Sequence, residues 1–249
     1  MEGTYPLGRV IGLDIYKADC VVRREGREQE IPAHGTRDKI TFLSEDSRRR
    51  LAFLVCNTDV HFRTMITLTY PAVFPNDGKT VKRHLNAFLT WCRRRWGREL
   101  CYVWFLEFQQ RGAPHIHILL SITRVKQDIA DVAQAWYRIA QSGDEKHLLA
   151  GTATERIRKQ DGAARYCVKY ALKCYQKAVP LAYQDVGRFW GASRNVKAHP
   201  RASIEIDELS IRNILSDWQY RPSDDRPLYR VLYRTADEMR SRLDTKLLM

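Results

Sequence analysis

The sequence predicts an α+β fold in which an antiparallel sheet carries helices on one face. Three runs rich in β-branched and aromatic residues are typical of strands: Thr64–Tyr70, Leu100–Gln109 and His115–Ile122. A short link containing Arg111 joins the second run to the third, which indicates a β-hairpin. Because these strands are neighbours in sequence and helical patterns lie between them, an antiparallel sheet is favoured.

Three amphipathic helices are predicted to cover this sheet. Apolar residues recur at helical spacing over Val81–Trp96, where Gly97 ends the pattern, and again over Ile129–Trp136. A third helix is predicted over Ala163–Lys177, before Pro180. Each helix would bury its apolar side against the sheet and leave its charged side in water.

The predicted organisation is one core domain with elaborated ends, which suits a chain of 249 residues. Residues 61–197 form the core domain, and residues 1–60 form an N-terminal extension of unassigned role packed on it. Residues 198–249 form a C-terminal extension that is expected to be largely helical, with helix-like stretches at Asp207–Trp218 and Ala236–Leu248.

The charge balance favours a nucleic-acid partner. Lysine and arginine number 42 against 29 acidic residues, which gives a net charge of +13 and a sequence pI near 9.6. Such a field concentrates polyanions, and nucleic acid gains further affinity by releasing counterions from its phosphates. An anionic membrane is a weaker alternative, because no basic helix with a wide apolar face stands out.

Cysteine usage and hydropathy predict a reduced, cytoplasmic protein. No segment approaches the roughly 20 apolar residues of a membrane span, and the first residues have no signal-peptide core. The cysteines are scattered and form no Cys-x-x-Cys pair, which argues against a zinc ribbon and a secreted disulfide framework. They stand at positions 20, 56, 92, 101, 167 and 174.

A histidine pair is the first candidate for chemistry. In a strand, His115 and His117 share one face while Ile116 points to the other, and two neighbouring imidazoles form a metal clamp. Glu107 lies in an apolar run of the preceding strand, where a carboxylate is costly to bury without a partner. A three-residue hairpin link places Glu107 opposite His115, and a five-residue link places it opposite His117. Either register puts all three on one face, with Gln109 as an outer ligand or substrate contact.

A tyrosine pair in the third predicted helix is the second candidate. Tyr166, Lys169 and Tyr170 fall at helical positions i, i+3 and i+4, so two phenols and an ammonium share one side of the helix. A phenol is a weak nucleophile at neutral pH, and a neighbouring cation or a metal bound at the phosphodiester supplies the activation. The alternative is that the tyrosine rings are packing residues with wet hydroxyls.

Three segments together resemble the rolling-circle replication initiators (Rep proteins) of the HUH endonuclease superfamily. TLTYP at 67–71, LEFQQRGAPHIHILL at 106–120 and YCVKY at 166–170 follow one another as that family's motifs I, II and III do. The resemblance is greatest to Rep proteins of single-stranded DNA phages and related plasmids. GRFWGASR at 187–194 is also similar to that group, and the resemblance spans roughly residues 60–195.

The resemblance implies a sheet of about five strands and a metal-dependent tyrosine endonuclease that nicks and rejoins origin DNA through a 5′-phosphotyrosine link. His115, His117 and Glu107 would bind Mg²⁺ or Mn²⁺. Tyr166 would be the nucleophile, Tyr170 a second nucleophile, and Lys169 the group that orients the phosphate. DNA contacts are expected from four further residues: Arg111, Lys173, Arg188 and Trp190.

The implied partners are single-stranded or supercoiled origin DNA and the polymerase and helicase of a host. A host helicase is needed because the sequence contains no G-x-x-x-x-G-K-[ST] phosphate loop. A relaxase- or transposase-like enzyme of the same superfamily and a non-catalytic DNA- or RNA-binding protein remain open as alternatives. The pattern leaves the origin sequence, the metal, the number of working tyrosines and the oligomeric state open.

Overall fold

The computed structural model of the chain describes residues 10–17, 19–24, 40–123, 125, 127–158, 179–207, 220–221 and 228–232. Two compact units divide the chain. One comprises residues 36–55 and 59–197, and the other comprises residues 1–35, 56–58 and 198–249. We treat each unit by itself. The three-part division expected from the sequence stays a prediction.

The described elements up to the middle of the chain are β1 (Val10–Ile15), β2 (Asp19–Arg24), α1 (Glu45–Asn57), β3 (Thr64–Thr69), α2 (Gly78–Trp96), β4 (Tyr102–Phe108) and β5 (Pro114–Leu120). Further along follow α3 (Ile129–Ile139), α4 (Glu145–Ala150), β6 (Thr152–Arg156), a 3-10 turn (Leu181–Tyr183), β7 (Trp190–Ala192), β8 (Ala202–Asp207), β9 (Tyr220–Arg221) and β10 (Leu228–Leu232).

The larger unit is built on a five-stranded antiparallel sheet in the order β6-β3-β5-β4-β7. This confirms the predicted α+β class, the antiparallel sheet and the hairpin, which is formed by β4 and β5. The helices expected at Val81–Trp96 and Ile129–Trp136 are present as α2 and α3. The third predicted helix, Ala163–Lys177, lies outside the described residues.

Alternate residues of the central strand β5 serve two separate cores. Ile116 and Ile118 are fully buried on the side where α2 and α3 pack. Leu119 is fully buried on the opposite side, in a smaller core that includes Leu51 and Val55 of α1. Helices therefore lie against both faces of the sheet, and the expectation that they would cover one face is wrong. The smaller core fills only part of its face.

Helix α2 shows how the sequence fixes these elements locally. Its N-terminus is capped by Asp77, whose carboxylate accepts a 2.7 Å hydrogen bond from the backbone N–H of Thr80. Its C-terminus ends at Gly97, which has φ of 105°, a left-handed-region value that favours glycine. Between these ends the helix buries an apolar stripe against the sheet.

The smaller unit contains a second five-stranded antiparallel sheet, in the order β8-β1-β2-β10-β9. Its strands come from both ends of the chain, which the sequence left unassigned. The described parts of the C-terminal segment are strands, whereas the helix-like stretches Asp207–Trp218 and Ala236–Leu248 lie outside the described residues except for Asp207, which ends β8. None of the described helices is long and apolar enough to span a membrane.

Candidate metal centre

The central strand β5 places the two predicted histidines on the same face of the larger unit's sheet. In the β4–β5 ladder Glu107 lies opposite His115, and Phe105 lies opposite His117. The hairpin closes by hydrogen bonds from Gln109 N–H to the Ala113 carbonyl and from Gly112 N–H to the Gln109 carbonyl. The three-residue link is thus the register adopted, and the register with Glu107 opposite His117 does not occur.

Glu107 reaches diagonally across the ladder towards the second histidine. Its Oε2 lies 3.4 Å from His117 Nε2, and the ring centroids of His115 and His117 are 4.7 Å apart. The His117 ring stacks on Phe105, with centroids 4.8 Å apart. His117 is 2% exposed and Glu107 9% exposed, whereas His115 is half-buried. The cluster therefore has a buried inner end at His117 and an end that solvent reaches at His115.

Two threonines of β3 hold the other edge of each imidazole. Thr67 and Thr69 lie directly opposite His117 and His115 in the β3–β5 ladder. Thr67 Oγ1 is 3.0 Å from His117 Nδ1, and Thr69 Oγ1 is 3.1 Å from His115 Nδ1. With Nδ1 engaged, Nε2 is the ring atom of His117 that faces Glu107. Sequence reasoning missed both threonines, although their period-two spacing in TLTYP was a usable signal.

The backbone of Thr69 is fixed from the helical side of the sheet. Its carbonyl accepts hydrogen bonds from Trp136 Nε1 at 2.8 Å and from His147 Nε2 at 2.6 Å. Its N–H donates to the Gly151 carbonyl at 2.8 Å. Trp136 and His147 are both buried, so these bonds are shielded from competing water. The strand that carries both threonines is therefore held rigidly behind the histidine pair.

The donor chemistry of the cluster fits a divalent cation. Two imidazole nitrogens and one carboxylate form a mixed nitrogen and oxygen set that leaves coordination positions for water or a phosphate oxygen. Mg²⁺ prefers oxygen ligands, so the two imidazoles suit Mn²⁺ better. In the part of the chain that the structure describes, no three His, Cys, Asp or Glu side chains converge into a complete ligand set. The metal assignment of His115, His117 and Glu107 stays a prediction, and their chemistry is compatible with it.

The predicted catalytic residues of the third helix cannot be placed beside this cluster. Tyr166, Lys169 and Tyr170 lie outside the described residues, as does the predicted DNA contact Lys173. Their roles stay predictions.

Arg111, a predicted DNA contact, closes the hairpin onto the loop after β3. Its guanidinium donates to the carbonyls of Tyr70 at 2.6 Å and Pro71 at 2.7 Å, and to Gln109 Oε1 at 2.9 Å. It also lies over the ring of Phe74, 5.2 Å from the centroid. These contacts give Arg111 a role in holding the loop, and its contact with DNA stays a prediction.

The two remaining predicted DNA contacts differ in exposure. Arg188 is exposed, and its carbonyl accepts a hydrogen bond from the Lys82 ammonium. Trp190 is half-buried, packs against both cores and donates from Nε1 to Ser47 Oγ at 2.9 Å. Phe189, between them, is a core residue at 3% exposure. Nucleic-acid contact by Arg188 and Trp190 stays a prediction.

The described fold and site define an α+β protein with a histidine and carboxylate cluster suited to a divalent ion. Residues 63–175, a little under half of the chain, match the family model of Replication-associated protein ORF2/gene 2 protein. This segment is therefore similar to that family, which indicates a replication-associated function, and it contains all three motifs recognised in the sequence. No curated protein and no solved structure matches the chain.

Proposed function

We propose that this chain is an HUH-type replication initiator of the phage or plasmid class, which nicks and rejoins one strand of origin DNA. The observation that supports this most is the placement of His115, His117 and Glu107 on one face of the central strands. It gains weight because the family match at 63–175 spans this cluster together with Tyr166 and Tyr170.

The proposed reaction is a phosphodiester transfer. A divalent ion held by His115, His117 and Glu107 would stabilise negative charge on the scissile phosphate. The Tyr166 oxygen bonds to phosphorus, the bond from phosphorus to the preceding 3′-oxygen breaks, and that oxygen takes up a proton to become a 3′-hydroxyl. Lys169 lies one helical turn from Tyr166 in the predicted helix and compensates the phosphate charge.

The reverse transfer explains how the same site joins strands without ATP. The phosphotyrosine link keeps the energy of the phosphodiester, so attack by a 3′-hydroxyl regenerates DNA and the free phenol. Tyr170 would provide a second nucleophile, which allows a second cleavage while the first link persists. In the cell we expect action on single-stranded or supercoiled origin DNA in the host cytoplasm, with a helicase and polymerase of the host.

The test is covalent capture of DNA. The full chain is incubated with labelled single-stranded DNA carrying the origin, in Mn²⁺ or EDTA, and run on a denaturing gel. We expect a protein–DNA band that EDTA abolishes, that Tyr166→Phe loses and that Tyr170→Phe keeps. The matched control is Tyr137→Phe, a half-buried tyrosine of α3, which should behave as the wild type does.

The outcomes separate the alternatives. Loss only in Tyr170→Phe would exchange the roles of the two tyrosines. Tight DNA binding without any covalent band, unchanged by EDTA, would favour the non-catalytic binding protein. A covalent band that forms without an initiation site, on transfer or transposon-end sequences, would favour the relaxase- or transposase-like enzyme.

A further inference from the structure

We propose that Thr67 and Thr69 are positioning residues of the metal centre, whose hydroxyls let the histidine rings exchange tautomer when the ion binds. This inference rests on the proposed function, because the ion is the one invoked there. It concerns residues on a different strand from the proposed ligands, and it makes a claim that binding alone does not.

The register of the sheet makes the pairing systematic. Thr67 faces His117 and Thr69 faces His115 along the same ladder, so each imidazole has its own hydroxyl. The two Oγ1–Nδ1 distances, 3.0 Å and 3.1 Å, are nearly equal. Thr67 is 9% exposed and His117 is 2% exposed, so water competes little for this bond.

The proton positions on His117 differ between the free and the ion-bound site. Without an ion, the contact with Glu107 Oε2 at 3.4 Å is favourable when the ring proton lies on Nε2. Nδ1 then accepts a hydrogen bond from the Thr67 hydroxyl. As a ligand, Nε2 must present its lone pair, so the single proton of the neutral ring lies on Nδ1 and is donated to Thr67 Oγ1. The number of protons does not change.

A hydroxyl can serve both states because it donates and accepts. A backbone carbonyl or a carboxylate at the same place would only accept, and would hold the proton on Nδ1 permanently. The rotatable hydroxyl hydrogen of Thr67 therefore lets the ring keep its orientation while its tautomer changes.

His115 shows why Thr69 matters separately. Its Nδ1 also lies 3.4 Å from Gln109 Nε2, and Gln109 Oε1 is occupied by Arg111, so the amide presents a donor to the ring. An amide nitrogen donates only, which suits the ion-free tautomer. Thr69 is the partner of His115 that also serves the ion-bound tautomer.

The first experiment measures Mn²⁺ affinity by titration calorimetry on the full chain. Thr67→Val should weaken binding by about tenfold or more, the size of effect seen when a ligand loses its hydrogen-bond partner. Thr67→Ser keeps the hydroxyl and should stay within about threefold of the wild type. The matched control is Thr64→Val on the same strand, which removes a buried hydroxyl bonded to the Ile122 carbonyl at 2.6 Å and should leave the affinity unchanged.

The second experiment needs no variant and therefore survives a folding defect in Thr67→Val. Long-range ¹H–¹⁵N correlation spectra of the histidine rings, recorded without and with diamagnetic Mg²⁺, report the tautomer of His117 directly. We expect the proton on Nε2 in the free protein and on Nδ1 when the ion is bound. The same tautomer in both spectra would overturn the inference.

The failure of this inference is distinguishable from the failure of the proposed function. Wild-type protein that binds Mn²⁺ and forms the covalent band, with Thr67→Val binding equally well, contradicts the positioning role alone. Wild-type protein that binds no Mn²⁺ and is unaffected by His117→Ala contradicts both.

Discussion

Replacing Glu107 with glutamine should reduce the stabilisation that Mn²⁺ gives the protein. Glu107 is 9% exposed, and its Oε2 lies 3.4 Å from His117 Nε2. Glutamine has the same shape and keeps an oxygen acceptor, but it removes the negative charge. The substitution therefore separates the role of the charge from the role of packing, and His117 can stay neutral so that no buried charge is left uncompensated.

The expected magnitude has two parts. In EDTA, Glu107→Gln relieves the cost of burying a carboxylate, which we expect to raise stability by about 1–2 kcal/mol. An ion present at about 100 times its dissociation constant stabilises the wild type by about 2.7 kcal/mol. If loss of the carboxylate weakens binding about thirtyfold, the same concentration stabilises the variant by under about 1 kcal/mol.

The assay is thermal unfolding of both proteins in EDTA and in Mn²⁺. For a chain of this length about 2.7 kcal/mol corresponds to a rise of roughly 5–10 °C in Tm, and the variant should show about a third of that rise. Glu99→Gln, at an exposed turn, is the matched control and should keep the full rise. A full Mn²⁺-induced rise in Glu107→Gln would refute the assignment of Glu107 as a ligand.

Two further predictions concern the helical side of the same unit. Burial, and then the charge of Arg188, lowers the pKa of Lys82 to about 7, with the ammonium 4.0 Å from the Trp104 ring centroid. Because the unfolded chain holds this proton up to about pH 10, stability should rise between pH 7 and pH 10; Lys82→Met should flatten that rise and add about 1–2 kcal/mol at pH 7, measured by urea unfolding across pH. Gly151→Ala should cost about 1–3 kcal/mol in the same assay, because its Cβ would lie 2.5 Å from the His147 ring and backbone oxygen; an unchanged midpoint would contradict this packing.

The parts of the fold that sequence predicts are those with strong local periodicity. Strands β3, β4 and β5 are central and apolar, and α2 carries a clear apolar stripe, so composition alone indicates them. The edge strands escaped notice for a physical reason. The strand β6 is mostly exposed or half-buried along TATER, and β7 has only three residues, so neither shows the alternation of a half-buried strand.

The candidate site divides along the same line. Parity within a hairpin placed Glu107 on the histidine face, because a link of odd length keeps the faces aligned. The link length itself was not readable, since a turn of three residues and one of five have similar composition. Thr67 and Thr69 depend on the register between β3 and β5, which are separated by more than forty residues. Such a register is set by long-range packing and has no local signature.

The strongest argument that this face binds something comes from three strands changing character at one level. Paired residues across β3, β5 and β4 form rungs on the histidine face. The rungs run from apolar to polar: Met65–Leu119–Val103, then Thr67–His117–Phe105, then Thr69–His115–Glu107. The first rung lies in the smaller core. A single polar residue at a strand end has a local explanation, but these segments are distant in sequence and meet only in the folded sheet. A shared change at one rung needs a shared cause, and a ligand bound at that end of the sheet supplies it.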